Sequence, residues 1–206
     1  MKITELRGAS VADDIEHVGR FRLRWFREWP YLYDGTMEYE QHYLQCFADE
    51  PRSLLVLVHD DGDGDGGGSL MAVSTSLPLL ADADILAGVP QLFREAGHDP
   101  ADFYYYSETL VDPAHRGRGV GQAIYARREA EARRLGFSRV CFASVVRTAD
   151  DPRRPASYRG NDRFWGLQGF ARAEPPLTIT FKWPTIQADG RTVEQANTLE
   201  FWLRDL

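Results

Sequence analysis

Apolar positions along this chain change their spacing repeatedly, and each change marks an element. Lys2 to Arg7 alternates as a half-buried strand does. Ile15, Val18, Phe21, Leu23 and Trp25 then recur in a helical pattern; Asp13 or Asp14 is placed to cap that helix and Pro30 to end it. Tyr39, Tyr43, Leu44 and Phe47 predict a second helix from Glu38 to Ala48. Ser53 to His59 and Leu70 to Leu77 are β-type runs, separated by the glycine- and aspartate-rich stretch Asp60 to Gly68, which reads as a hairpin loop. A short helix over Leu92 to Ala96 precedes a strand, Tyr104 to Val111, a helix, Val120 to Leu135, a strand, Arg139 to Val146, and a short helix, Asn161 to Phe170. Leu177 to Trp183 and Leu199 to Leu203 read as an antiparallel pair joined through Asp189-Gly190. The strand Leu199 to Leu203 is expected at a sheet edge, where a second copy of the chain has room to pair as a homodimer.

This order predicts a single α/β (α+β) domain over residues 1–206, with a mixed, mostly antiparallel central sheet flanked by helices. The stretch from Tyr104 to Val146 reads as a right-handed parallel crossover. In its helix, Gly119, Ala123, Ala126 and Ala130 share one face, which is expected to lie close to the sheet. Arg127, Arg128, Glu129, Glu131, Arg133 and Arg134 mostly cover the other side and read as solvated.

Composition narrows the function. At 206 residues with 43% hydrophobic positions, the chain suits one large core and no second domain. A net charge of -7 and a pI near 5.3 argue against sequence-independent nucleic-acid binding, which rests on neutralising phosphates with Lys and Arg. No apolar run approaches a membrane span and the N-terminus lacks a signal pattern, so no membrane association is expected. Cys46 and Cys141 are too few for a disulfide framework, which makes a reducing cytoplasm the expected location.

The run Arg116-Gly117-Arg118-Gly119-Val120-Gly121 carries the candidate chemistry. It follows a strand and opens a helix, and three alternating glycines let several main-chain N–H groups converge where the helix dipole favours an anion. A dinucleotide fingerprint fails in both registers, since Gln122 and Ile124 hold its last position. No Gly-Lys-Ser or Gly-Lys-Thr exists for a Walker loop. A ligand-free tight turn is the plain alternative, though such a turn needs one glycine rather than three. What matches is Arg-x-x-Gly-x-Gly, at Arg116, Gly119 and Gly121, preceded by Val111-Asp112-Pro113. This resembles the acyl-CoA signature of the GNAT superfamily of N-acetyltransferases, a likeness strongest from Tyr104 to Phe170.

The resemblance implies a bound acetyl-CoA, its pyrophosphate on the amides of Arg116, Gly117, Arg118, Gly119, Val120 and Gly121. It also implies that the strands Tyr104 to Val111 and Arg139 to Val146 splay apart, leaving main-chain groups of Leu110 and Val111 to pair with pantetheine amides as an added strand would. Arg116, Arg118 and His115 are candidates to meet phosphates. Acyl transfer to an amine needs a proton acceptor, and Glu108, a carboxylate in an aromatic strand, is the candidate base. Pairing with an arginine is the competing role for it. The family often supplies a tyrosine ahead of the terminal Gly-Phe of its late helix; Trp165 holds that place here, and its indole is no proton donor for a thiolate. Tyr158 is the alternative acid, against a packing or acceptor-binding role, and a CoA thiolate also leaves without a dedicated acid.

Other signals have plainer readings. Asp61, Asp63, Asp65 and Gly66 start like a calcium loop, but its twelfth position is Ala72 and strands flank it. His17, His42, His59, His98 and His115 show no metal spacing, so no metal is expected. Cys141 reads as a buried small hydrophobe. Trp25, Phe26, Trp29, Tyr31 and Tyr33 are mostly core, although Trp29-Pro30-Tyr31 falls where the family builds its acceptor pocket, and aromatic faces there suit an ammonium group. The expected activity is an N-acetyltransferase acting on a small-molecule amine or peptide acceptor, by direct attack in a ternary complex. A non-catalytic acyl-CoA-binding module is the alternative.

Overall fold

The computed structural model describes residues 1–61, 68–81 and 84–206; Asp63, Asp65 and Gly66 of the calcium-like run lie outside them. In chain order come β1 (Lys2–Leu6), α1 (Ile15–Trp25), α2 (Met37–Asp49), β2 (Leu54–His59), β3 (Leu70–Pro78) and α3 (Val89–Glu95). They are followed by β4 (Phe103–Val111), α4 (Val120–Arg134), β5 (Arg139–Val145), α5 (Asp162–Leu167), β6 (Ala171–Arg172), β7 (Thr178–Ile186) and β8 (Thr192–Asp205). The sheet runs β1-β2-β3-β4-β5-β8-β6, with β7 also on β8. Every pairing is antiparallel except β4 with β5, so the sheet is mixed and mostly antiparallel.

Central strands are apolar on both faces because helices cover both. Leu55, Leu57, Val73 and Phe201 pack with Phe21, Leu44, Phe47 and Phe93 from α1, α2 and α3. On the opposite face Tyr104, Tyr106, Val140 and Trp202 pack with Tyr125 and Ala132 of α4, and Val56 and Ala72 with Val120 and Ile124. Among the described residues no helix is long and apolar enough to cross a membrane.

Three expectations need correction. Leu199 to Leu203 does not lie at an edge: β5 pairs with it on one side, and β7 and β6 on the other. Helix α1 stops at Trp25, well before Pro30; residues 26–34 instead fold back, with Tyr33 N–H donating to the Phe26 carbonyl at 2.8 Å. Finally, the small-residue face of α4 is not the sheet face. Ala126 and Ala130 are exposed, whereas Val120, Ile124, Tyr125, Arg128, Glu131 and Ala132 are buried. Isoleucine and tyrosine gain far more from burial than alanine does. Both charged residues bring partners inward: Glu131 accepts from Arg7 Nε at 3.0 Å and Arg134 Nε at 2.9 Å.

Candidate active site

The fold opens a cleft where its two parallel strands part. β4 and β5 pair only at Phe103↔Arg139, Tyr104↔Val140 and Tyr105↔Cys141. Beyond that, Tyr106 to Val111 stay with β3 while Phe142 to Val145 stay with β8. Asp112 N–H donates to the Met71 carbonyl at 2.8 Å, so by strand alternation the Leu110 main chain faces β3, whereas that of Val111 faces the gap, where Arg116 Nε donates to its carbonyl.

A bulge decides what else faces the gap. Thr75 of β3 pairs with Glu108, but Ser76 pairs with Tyr106, so Ser107 is an extra residue in β4. Before it, Tyr104 and Tyr106 face α4; after it, strict alternation is broken and Glu108 and Leu110 face α1 and α2. Without the bulge the carboxylate would point into the α4 layer.

Glu108 is buried, with its side chain 4% exposed, and pairs with Arg22 of α1. Tyr43 of α2 donates its phenol proton to Glu108 Oε2 at 2.7 Å and shares a 2.5 Å hydrogen bond with Ser107 Oγ. Arg22 also pairs with the fully buried Glu40. Its guanidinium lies 3.9 Å over the Tyr43 ring. Burial pushes the Glu108 carboxyl up, but Arg22 and the hydrogen bond from Tyr43 outweigh it, leaving it below the usual carboxylate range. The cluster thus holds two carboxylates on one guanidinium.

The glycine loop sits at the open end of the same gap. Asp112 caps a 3-10 turn, Pro113–His115, through Ala114 N–H at 2.9 Å. Gly117 and Gly119 follow with φ of 74° and 81°, a region side chains disfavour, and a Cβ on either would meet nothing within 4 Å. Backbone shape, not crowding, therefore requires these glycines, and the space above them is open. Gly119 caps α4 without a side-chain hydrogen bond, so the first-turn N–H groups are left to a ligand or solvent. Gly121 differs, since a Cβ there would lie 3.3 Å from Phe164 of α5. His115, Arg118 and Val120 line a cavity of about 320 Å³ beside the loop. Arg116 points away from that cavity, donating to the Val111 carbonyl and to Glu28, both at 3.0 Å.

Aromatic residues wall the other end. Tyr31 stacks on Trp183 of β7 at 6.1 Å, and Tyr158 meets Trp29 edge-on at 6.1 Å. Arg147 ties this wall down by donating to the carbonyls of Pro30 and Tyr31 at 2.8 and 3.1 Å. Burial and the nearby Glu108 push the Tyr31 phenol up to about 12. Burial likewise raises that of Tyr158, so both stay protonated donors at neutral pH. Trp165 lies against Phe142 and Trp202 as part of the aromatic core. Cys141 is fully buried, and burial pushes its thiol up. Sequence reasoning missed Arg22 and Arg128 and took Tyr43 for a packing residue. The signal available was the polar Ser107-Glu108-Thr109 triplet inside an aromatic strand, where a regular alternation would put one polar residue on the wrong face.

Residues 20–156 match the model of the Acetyltransferase (GNAT) family. The chain belongs to that family. No curated protein sequence matches it. Among solved structures, the GCN5-related N-acetyltransferase from Kribbella flavida is 16% identical, with 99% of this chain and 98% of that one covered and a TM-score of 0.55. The ribosomal-protein-alanine N-acetyltransferase from Brucella melitensis is 12% identical over 100% of both chains, with a TM-score of 0.57. A putative acetyltransferase from Salmonella typhimurium, solved with its cofactor acetyl-CoA, is 13% identical, covering 99% and 94%, with a TM-score of 0.54. At these identities the likeness is one of fold. The GNAT family transfers acetyl groups to amines generally, with acetyl-CoA as donor.

Proposed function

We propose that the protein transfers an acetyl group from acetyl-CoA to the primary amine of a small molecule or peptide end, both substrates meeting in the β4–β5 cleft. The observation that carries this reading is one gap with a glycine-shaped, uncapped helix start at its open end and a buried carboxylate beyond. The amides of residues 116–121 hold the donor pyrophosphate, and the open edge of β4 at Val111 pairs with its pantetheine arm. The aromatic wall of Trp29, Tyr31, Tyr158 and Trp183 holds the acceptor. The amine attacks the thioester carbonyl directly; a C–N bond forms, the C–S bond breaks, and the amine loses its proton.

Energetics define the part played by Glu108. Releasing a proton from a lysine-like ammonium to solvent at pH 7 costs roughly 4–5 kcal/mol, whereas placing it on an ordinary carboxylate costs roughly 8 kcal/mol. A carboxylate held lower still by Arg22 is no resting place for it. Glu108 therefore orients the amine and passes its proton on through solvent. Tyr158, protonated and beside the wall, is the donor candidate for the departing thiolate. Trp165, packed in the core where a phenol is common in this family, favours a second reading, a module that binds acyl-CoA without turnover. Thiol release from acetyl-CoA across a panel of amines tests the proposal: release with at least one amine is expected. Tight CoA binding with no release on any amine supports the module instead.

A further inference from the structure

Arg128 is a buried cation that the proposed chemistry leaves unused. It projects from the middle of α4 and is 1% exposed. A buried guanidinium is costly unless its donors are satisfied. Among the described residues no carboxylate is a hydrogen-bond partner of it. Nε donates to Ser76 Oγ at 2.7 Å, Nη1 to Thr109 Oγ1 at 2.5 Å and Nη2 to the Thr75 carbonyl at 2.6 Å. The guanidinium lies 4.2 Å from the centre of the Tyr106 ring.

These partners share one location. Thr75 and Ser76 are the two β3 residues between which the register shifts, and Thr109 follows the extra residue in β4. A bulge interrupts the ladder and leaves main-chain groups needing other partners. The planar fork of Arg128 spans the interruption from the α4 side, while Tyr43 holds Ser107 and Glu108 from the α2 side. Lysine has neither the reach of three fixed donors nor the flat face for Tyr106.

We propose that Arg128 is a positioning residue: it holds the β4 bulge, and through it aims Glu108 and the Val111 main chain at the donor. The proposal rests on the reading that acetyl-CoA lies along β4 at Val111. Arg128 does not touch the glycine loop, and this separates two halves of one ligand. Relaxing the bulge disturbs the strand that meets pantetheine and leaves the amides that meet the diphosphate in place.

The test compares Kd for CoA with Kd for 3′-phospho-ADP, the diphosphate-bearing fragment without pantetheine, in wild type, Arg128→Met, Arg128→Lys and Thr109→Val. Each lost bond to a charged donor corresponds to about tenfold or more. Arg128→Met and Arg128→Lys are expected to bind CoA at least about tenfold more weakly, Thr109→Val several-fold more weakly, all with fragment affinity within about twofold of wild type. kcat is expected to fall with CoA affinity, because Glu108 moves with the same bulge. Equal losses for CoA and fragment, or unchanged CoA affinity in Arg128→Lys and Thr109→Val, overturn the proposal. If Arg128→Met does not fold, the lysine and valine variants decide alone. Failure of wild type to bind the fragment overturns the glycine-loop reading instead, which is a different result.

Discussion

Charge counting in the Arg22 cluster predicts an asymmetry that contact counting does not. Glu40, Arg22 and Glu108 have side chains 0%, 5% and 4% exposed, so the cluster buries two negative charges and one positive. Arg22→Met leaves two carboxylates buried without a counter-ion, and breaking a buried pair in this way costs about 3–5 kcal/mol. Glu108→Gln leaves a neutral Arg22–Glu40 pair, and the new amide oxygen still accepts from Tyr43, so the cost is about 1 kcal/mol. In a chain of this size each 1 kcal/mol moves Tm by about 2–4 °C, which separates the two variants by roughly 4–16 °C. Calorimetry and urea unfolding at pH 7 measure the difference. The pH dependence follows from the depressed pKa of Glu108: its stabilisation is present above the ordinary carboxylate range and fades as pH falls through its lower native value. The penalty of Arg22→Met therefore shrinks in acid, as the Glu108 carboxylate takes up a proton. The reasoning is refuted if Glu108→Gln is as destabilising as Arg22→Met, or if both variants melt with wild type.

Activity and acid stability offer further checks. Glu108→Gln is expected to lower the rate of thiol release by about 10²-fold or more while the protein stays folded; an unchanged rate removes the carboxylate from the mechanism. Tyr158→Phe is expected to reduce kcat, with the acetyl-CoA KM nearly constant, in steady-state assays; a change confined to acceptor KM would assign it to the acceptor wall. Arg7 and Arg134 hold the Glu131 carboxyl down at about 2, so its stabilisation is full above about pH 4.5 and is lost as pH falls toward 2. Because both arginines are substantially exposed, Glu131→Gln is expected to cost only about 1–2 kcal/mol at pH 7, and a small remainder of that at pH 2, by urea titration. Gly121→Leu is expected to push Phe164 off α4 and cost about 1–3 kcal/mol in calorimetry, since even a Cβ comes within 3.3 Å of that ring.

The order of strands and helices was legible because each element carries its own period and its own stop signal. The parallel pair β4 and β5 is where expected, since parallel neighbours need a crossover and the helix between these two strands supplies one. What escaped depends on partners far away in sequence. The bulge at Ser107 is set by Tyr43, 64 residues away, and by Arg128 on another helix, so no local period announces it. Arg128 and Glu131 looked solvated because charge is a good guide to exposure only until a polar cavity or an opposing arginine is built around it. The edge assignment of β8 failed for a similar reason: its first half was not read as strand, yet Thr192 to Thr198 pairs with β7 as regularly as the rest. Of the aromatic run after α1, the sequence showed composition but not the backfold at residues 26–34 that turns Tyr31 toward Trp183.

The central claim is that main-chain amides at residues 116–121 receive the diphosphate of coenzyme A, and calorimetric titration of CoA into Gly119→Asp tests it most directly. Aspartate tolerates the left-handed backbone better than most residues, and the space around that position is open, so the fold survives. A new carboxylate about 5 Å from a phosphate costs roughly 3 kcal/mol near a protein surface, which predicts CoA binding weaker by at least about a hundredfold. Wild-type affinity in a folded Gly119→Asp protein would contradict the account.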